Sequence, residues 1–138
     1  AMTCAIAPIY TIGCGQVCSA ASLILVAGRQ RYAMPNCWFM VHRGKTEIGG
    51  DEDEVAAQAA LHKKISERYW RLMERHTKLT AREWFQKSKT KGELWLPAEK
   101  MLEYGVVDHV LTTPIDYPPL SIEPISSKKR HEEEDDDA

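Results

Sequence analysis

The stretch Tyr10-Thr11-Ile12-Gly13-Cys14-Gly15-Gln16-Val17-Cys18-Ser19-Ala20-Ala21-Ser22-Leu23-Ile24-Leu25-Val26-Ala27-Gly28 decides the fold class. Tyr10-Thr11-Ile12 reads as a short buried strand, since aromatic and β-branched residues suit a packed, pleated surface. Gly13-Cys14-Gly15 is a turn whose glycines can take positive φ. From Gln16 to Ala27 small residues give way to aliphatics, which predicts a buried helix with Gly28 as its stop. A strand, a glycine turn and a helix thus follow one another directly.

Outward from this stretch the pattern continues. On the amino side, Pro8 limits any regular element in Ala1 to Thr11. On the carboxyl side, Tyr32-Ala33-Met34 leads through the turn pair Pro35-Asn36 into Cys37-Trp38-Phe39-Met40-Val41, a continuous apolar run of core-strand length that ends at His42. Arg43 to Gly50 holds three glycines and mixed charge, which predicts a mobile loop. The acidic cluster Asp51-Glu52-Asp53-Glu54 then opens a long helix, because negative charge is favoured at a helix amino end. Val55, Leu61, Ile65, Tyr69, Leu72 and Met73 fall mostly at steps of three or four and predict one apolar stripe running to about His76. Lys63, Lys64, Glu67, Arg71 and Glu74 take the other sides.

Thr80-Ala81-Arg82-Glu83 has the spacing of a capping box, with Leu79 and Trp84 placed as its hydrophobic staple, and predicts a second helix to about Lys87. Lys87 to Gly92 reads as a polar loop, and Leu94-Trp95-Leu96 returns to the core. Pro97 and Gly105 bracket a third helix, and Val106 to Leu111 reads as a closing strand. Beyond Thr112 the prolines at 114, 118, 119 and 124 and the charge run from Lys128 to Asp137 predict an extended, disordered tail. The expected organisation is a core over residues 1–112 and a tail over 113–138.

Composition excludes several function classes. The formal net charge is −2, of which the last eleven residues contribute −3, so the body is near +1. That body lacks the basic stripe a nucleic-acid partner would require. Ala20 to Gly28 is the longest apolar run and contains Ser22, well short of the roughly 20 residues needed to span a bilayer. Cys4, Cys14, Cys18 and Cys37 follow no secretory signal and read as reduced thiols of a cytoplasmic protein. Cys14 and Cys18 lack CxxC spacing and a second ligand pair, which argues against a structural zinc site.

Ser19 follows a strand and a glycine turn at or near a helix start, where a hydroxyl can be an exposed nucleophile. Adjacent N–H groups could then hold an oxyanion. A serine nucleophile requires a base within hydrogen-bond reach, and His42 at the end of the next apolar strand is the natural candidate. His62 and His76 lie on the long helix, His109 in the closing strand and His131 in the tail, all poorer positions.

Gly15-Gln16-Val17-Cys18-Ser19-Ala20-Ala21 resembles Gly-Gln-Ala-Ala-Ser-Met-Gly of the Clp protease proteolytic subunits, in which the serine is the nucleophile. Pro35-Asn36-Cys37-Trp38-Phe39-Met40-Val41-His42 is similar to the family's Pro-Asn-Ser-Arg-x-Met-Ile-His, whose last residue is the catalytic base. Leu72 to Thr77 resembles the family's Leu-x-x-His-Thr helix end. Glu99 to Asp108 is similar to its closing signature Glu-Ala-x-Glu-Tyr-Gly-Leu-x-Asp. The resemblance covers about Tyr10 to Leu111. It implies an α/β fold, a Clp/crotonase-like repeated β-β-α spiral with its amino-terminal part missing, and Ala1 before Met2 suggests a fragment boundary. It further implies a serine endopeptidase without cofactor or metal, a homo-oligomer of stacked heptameric rings, protein or peptide substrates and an AAA+ unfoldase partner.

Three positions depart from the family pattern. Its triad aspartate falls on Lys89 counted from one side and on Lys87 from the other, so Glu93 is the nearest carboxylate able to replace it. The glycine-rich oxyanion loop of the family precedes the segment present here. Ala20 stands where the family usually has Met, although only the N–H of that residue serves the oxyanion. Rival expectations are a non-catalytic Clp-like ring subunit, a phage head-maturation peptidase and, last, a crotonase-like acyl-CoA enzyme.

Overall fold

The chain repeats a β-β-α unit, and equal members of successive units lie side by side. The computed structural model describes residues 2–89 and 92–112; the tail read for 113–138 lies outside them. The first unit is β1 (Tyr10–Gly13), β2 (Gln16–Cys18) and α1 (Ala20–Val26), and the second is β3 (Gln30–Ala33), β4 (Trp38–His42) and α2 (Glu52–His76). There follow α3 (Ala81–Lys89), β5 (Glu93–Pro97), α4 (Ala98–Glu103) and β6 (His109–Val110). β1 pairs parallel with β3 from Tyr10↔Gln30, and β2 pairs parallel with β4 from Gln16↔Trp38. One three-stranded sheet therefore runs β1-β3-β6 and the other β2-β4-β5, in which β4 and β5 are antiparallel. This is the α/β spiral expected from the sequence.

The helix expected from Gln16 begins only at Ala20. Gln16 is exposed and Val17 buried, the alternation of a strand, and the segment is held by the ladder to β4. Small residues had concealed a three-residue strand. Gly28 closes α1 for a different reason than a positive φ: a Cβ there would stand 2.2 Å from the Thr11 hydroxyl of β1. Thr11 Oγ1 in turn donates to the Leu25 carbonyl at 2.7 Å and fastens α1 to its strand.

Asp51 caps α2 with a full capping box, its carboxylate accepting from the Glu54 N–H at 2.9 Å. The apolar stripe read along this helix is buried only in its second half. Val55, Leu61 and Ile65 are 38%, 59% and 58% exposed, whereas Met73 and Trp70, which the stripe omitted, are buried. At 1.5 Å per residue a helix of 25 residues spans about 37 Å, longer than the core it packs on.

Thr80 and Glu83 form the expected box, and α3 runs two residues past Lys87. Trp84 is fully buried among Phe39, Met73 and Met101, and the staple residue Leu79 packs against the same core. Each such large side chain contributes about 1.5–3 kcal/mol by leaving water. The closing strand is shorter than expected, two residues, because Gly105 (φ 71°) ends α4 and Val106 and Val107 turn inward, their N–H groups bonding the Met101 carbonyl.

Arg31 of β3 joins the far elements. It pairs with Asp108 (Nη2 to Oδ1, 2.6 Å), donates to the Gly105 carbonyl at 2.9 Å and also donates to the carbonyl of His76 at the end of α2. The guanidinium beside Asp108 holds that carboxyl below its usual range. Burial, helped by Arg31 and Arg75, lowers His76 from the ordinary imidazole value.

Candidate active site

Ser19 sits between β2 and α1 with φ 57° and ψ −119°, the one non-glycine residue at positive φ among the described residues. Such a conformation costs about 1–3 kcal/mol and persists where neighbours enforce it. They do so here through one carbonyl. Met40 O of β4 accepts the Ser19 N–H at 3.0 Å and the Ser22 hydroxyl at 2.8 Å. The Ser22 N–H donates to Ser19 O at 3.0 Å and closes the bend.

Ser19 is the N-cap of α1, yet its side chain makes no capping bond. The hydroxyl is therefore available elsewhere. The register Cys18↔Met40 carries the next residues of the two strands past each other, and His42 Nε2 lies 2.8 Å from Ser19 Oγ. His42 Nδ1 lies 2.8 Å from the Arg43 carbonyl. A carbonyl can only accept, so Nδ1 carries the ring proton and Nε2 presents its lone pair. Ser19 Oγ–H donates to it. This is the protonation pattern in which a neutral imidazole takes a proton from serine.

Glu93 is directly opposite His42 in the β4–β5 ladder. Its exposed carboxylate accepts the Trp95 indole N–H at 3.2 Å, and no hydrogen bond among the described residues joins it to His42. The expected carboxylate orienter is thus near the imidazole but not bonded to it. The physical reason is local: Nδ1 is already taken by the carbonyl of the next residue. Lys87 and Lys89, on which the family aspartate would fall, lie on α3, and the Lys87 ammonium sits 5.0 Å over the Tyr104 ring. Ala20 opens α1, where its N–H has no intrahelical acceptor.

Beside the pair is a cavity of about 120 Å³, walled by α2 through His62, Ile65, Ser66, Tyr69 and Trp70. Burial pushes the Tyr69 phenol up to about 12, with the nearby Ser22 hydroxyl pulling weakly the other way. Sequence reasoning singled out Ser19 and His42 but passed over Ser22, which lies in the first turn of α1, three residues after the N-cap Ser19. The carbonyls of Met40 and Arg43 have no side-chain signature to read.

None of the four cysteines forms a disulfide among the described residues, and burial, with smaller contributions from Cys14 and Cys18, pushes Cys37 up. Among the described residues no group of three or more His, Cys, Asp or Glu side chains is placed to hold a metal, and no helix is long and apolar enough to cross a membrane.

The family model described as Clp protease matches residues 1–114. The ATP-dependent Clp protease proteolytic subunit 2 of Treponema denticola is 34% identical over 119 residues, covering 81% of this chain and 56% of that protein. The proteins of the same name from Corynebacterium efficiens and Tropheryma whipplei are 32% and 31% identical over 106 residues, each covering 75% of this chain and 52% and 58% of the relative. The chain spans about half the length of these curated relatives. With the family model matched over most of the sequence and the paired β-β-α units beneath it, this chain belongs to the Clp protease family.

Proposed function

We propose that the chain forms the catalytic part of a serine endopeptidase acting through Ser19 and His42. The observation that carries this reading is the 2.8 Å bond from Ser19 Oγ to His42 Nε2, made by a serine in a strained conformation. Ser19 Oγ attacks the peptide carbonyl as His42 Nε2 takes its proton, and the Ala20 N–H contributes one donor to the oxyanion. The imidazolium then protonates the leaving amine, and water hydrolyses the acyl-enzyme by the same path in reverse.

The Arg43 carbonyl fixes the tautomer, which is half of what an aspartate does. It carries no full negative charge and so stabilises the imidazolium less. In a triad, replacing the aspartate by its amide costs about 10⁴ in rate, chiefly through the wrong tautomer. The tautomer here is correct, so the shortfall is smaller.

The names of the relatives include ATP dependence and a proteolytic subunit. They support a proteolytic subunit that works with an ATP-dependent partner; assembly into stacked heptameric rings in the cytoplasm, fed with unfolded protein by an AAA+ unfoldase, is the arrangement we propose from family membership. The exposed Val55, Leu61 and Ile65 of α2 suit such subunit contacts. A second reading, a non-catalytic ring subunit, is favoured by one observation: among the described residues His42 Nδ1 meets the Arg43 carbonyl and no carboxylate.

A fluorophosphonate probe separates the two. Labelling is expected at Ser19, lost in Ser19→Ala and slowed by at least about 10²-fold in His42→Ala. If the protein stays unlabelled where a control serine hydrolase labels, the structural-subunit reading replaces the enzyme.

A further inference from the structure

A cleft of about 550 Å³ opens beside the Ser19–His42 pair, between α2, α3 and the start of the loop after β4. It shares Gly44, His62, Ser66 and Trp70 with the smaller cavity that Ser19 and His42 line, so the two form one continuous depression. Among the described residues, Arg43, Lys63, Arg71 and Arg82 border the cleft, against one carboxylate, Glu67. None of the four cations is in an ion pair among the described residues. Arg43 lies over the Phe85 ring, 4.9 Å from its centre, a contact that satisfies none of its N–H donors. A second observation points the same way: Trp70 lines both cavities, and its indole N–H is buried with no acceptor among the described residues.

We propose that this cleft is a substrate subsite for acidic side chains, so that the peptidase prefers peptides carrying Asp or Glu a few residues from the cleaved bond. The inference rests on the peptidase reading above. An unpaired guanidinium on an aromatic floor gains most from a carboxylate, which can accept two of its N–H groups at once. Low-dielectric walls of Trp70 and Phe85 strengthen that attraction over its value in open water. A basic peptide would meet like charge, and a neutral one would leave the donors without anionic partners.

The test uses two fluorescent peptides that differ only in Asp/Glu against Asn/Gln, bound to the Ser19→Ala protein and followed by anisotropy. The acidic peptide is expected to bind at least about ten-fold more tightly at low salt, with the preference shrinking as salt screens it. Arg71→Glu combined with Arg82→Glu, both exposed positions, is expected to abolish or invert the preference. Lys63→Glu checks the same edge independently and should reduce it. Equal affinities for the two peptides, or a preference untouched by all three substitutions, would overturn the subsite. Because binding is read on a protein without the nucleophile, a failure of Ser19 to label leaves this result standing, and the reverse holds as well.

Discussion

Sheet β1-β3-β6 and sheet β2-β4-β5 come from the same repeated unit but are fastened by different parts of the chain. In the first, the Arg31 side chain reaches Asp108, Gly105 and His76 and binds three elements together. In the second, main-chain carbonyls make the ties: Met40 O holds the Ser19 bend, and Arg43 O holds the His42 ring. The first arrangement spends a charged side chain on stability. The second leaves Ser19 and His42 free to meet each other, at a conformation that is itself unfavourable.

Substitutions should therefore act oppositely in the two sheets. Ser19→Gly is expected to lower peptide hydrolysis by at least about 10³-fold. In the same variant, relief at φ 57° should raise stability in urea by about 1 kcal/mol. A loss of stability there would show that Ser19 is not strained. Arg31→Ala should cost about 1–2 kcal/mol, since two carbonyls lose their guanidinium donors and Asp108 keeps only the bond from the main-chain N–H of residue 31, while labelling of the remaining folded protein proceeds at its normal rate. Ser22→Ala lies between these extremes. Losing its bond to Met40 O should cost about 1 kcal/mol and lower kcat with KM unchanged, because the bend loosens without touching substrate.

Acid should weaken the first sheet preferentially. His76 and Asp108 both bind protons less readily in the fold than in the unfolded chain. Stability is then full at neutral pH. It begins to fall as pH drops below about 6.5, the ordinary histidine value, and falls further below about 3.9, where Asp108 begins to protonate in the unfolded chain. Urea titrations across that range should show the first step shrink in His76→Gln. The smallest effect is expected from Glu93→Gln, which should leave the labelling rate unchanged because Nδ1 is bonded to Arg43 instead. A clear slowing would make Glu93 the orienter after all.

The sequence made β1, β4 and the capped helices legible because each has a local cause: an apolar run, a capping box, a proline or glycine at an end. β2 was obscured because Gln16-Val17-Cys18 is defined by its pairing to β4 and by nothing in its composition. The α2 stripe was legible as a periodicity, but periodicity cannot say where the core stops, so it did not separate the exposed Val55, Leu61 and Ile65 from the buried Met73. Arg31 gave no signal, its ion-pair partner being 77 positions away. At the site, the two reacting side chains were readable from motif and position. The bonds that hold them belong to the backbone, which every sequence shares.

That last property bears on how this site tolerates change. The carbonyl at position 40 survives any amino acid placed there, so the anchor beneath Ser19 is indifferent to what the gene encodes at that codon. A saturation library should find position 40 permissive wherever packing allows, while 19 and 42 stay closed; an engineer could reshape the half-buried sheet surface at Met40 without dislodging the nucleophile.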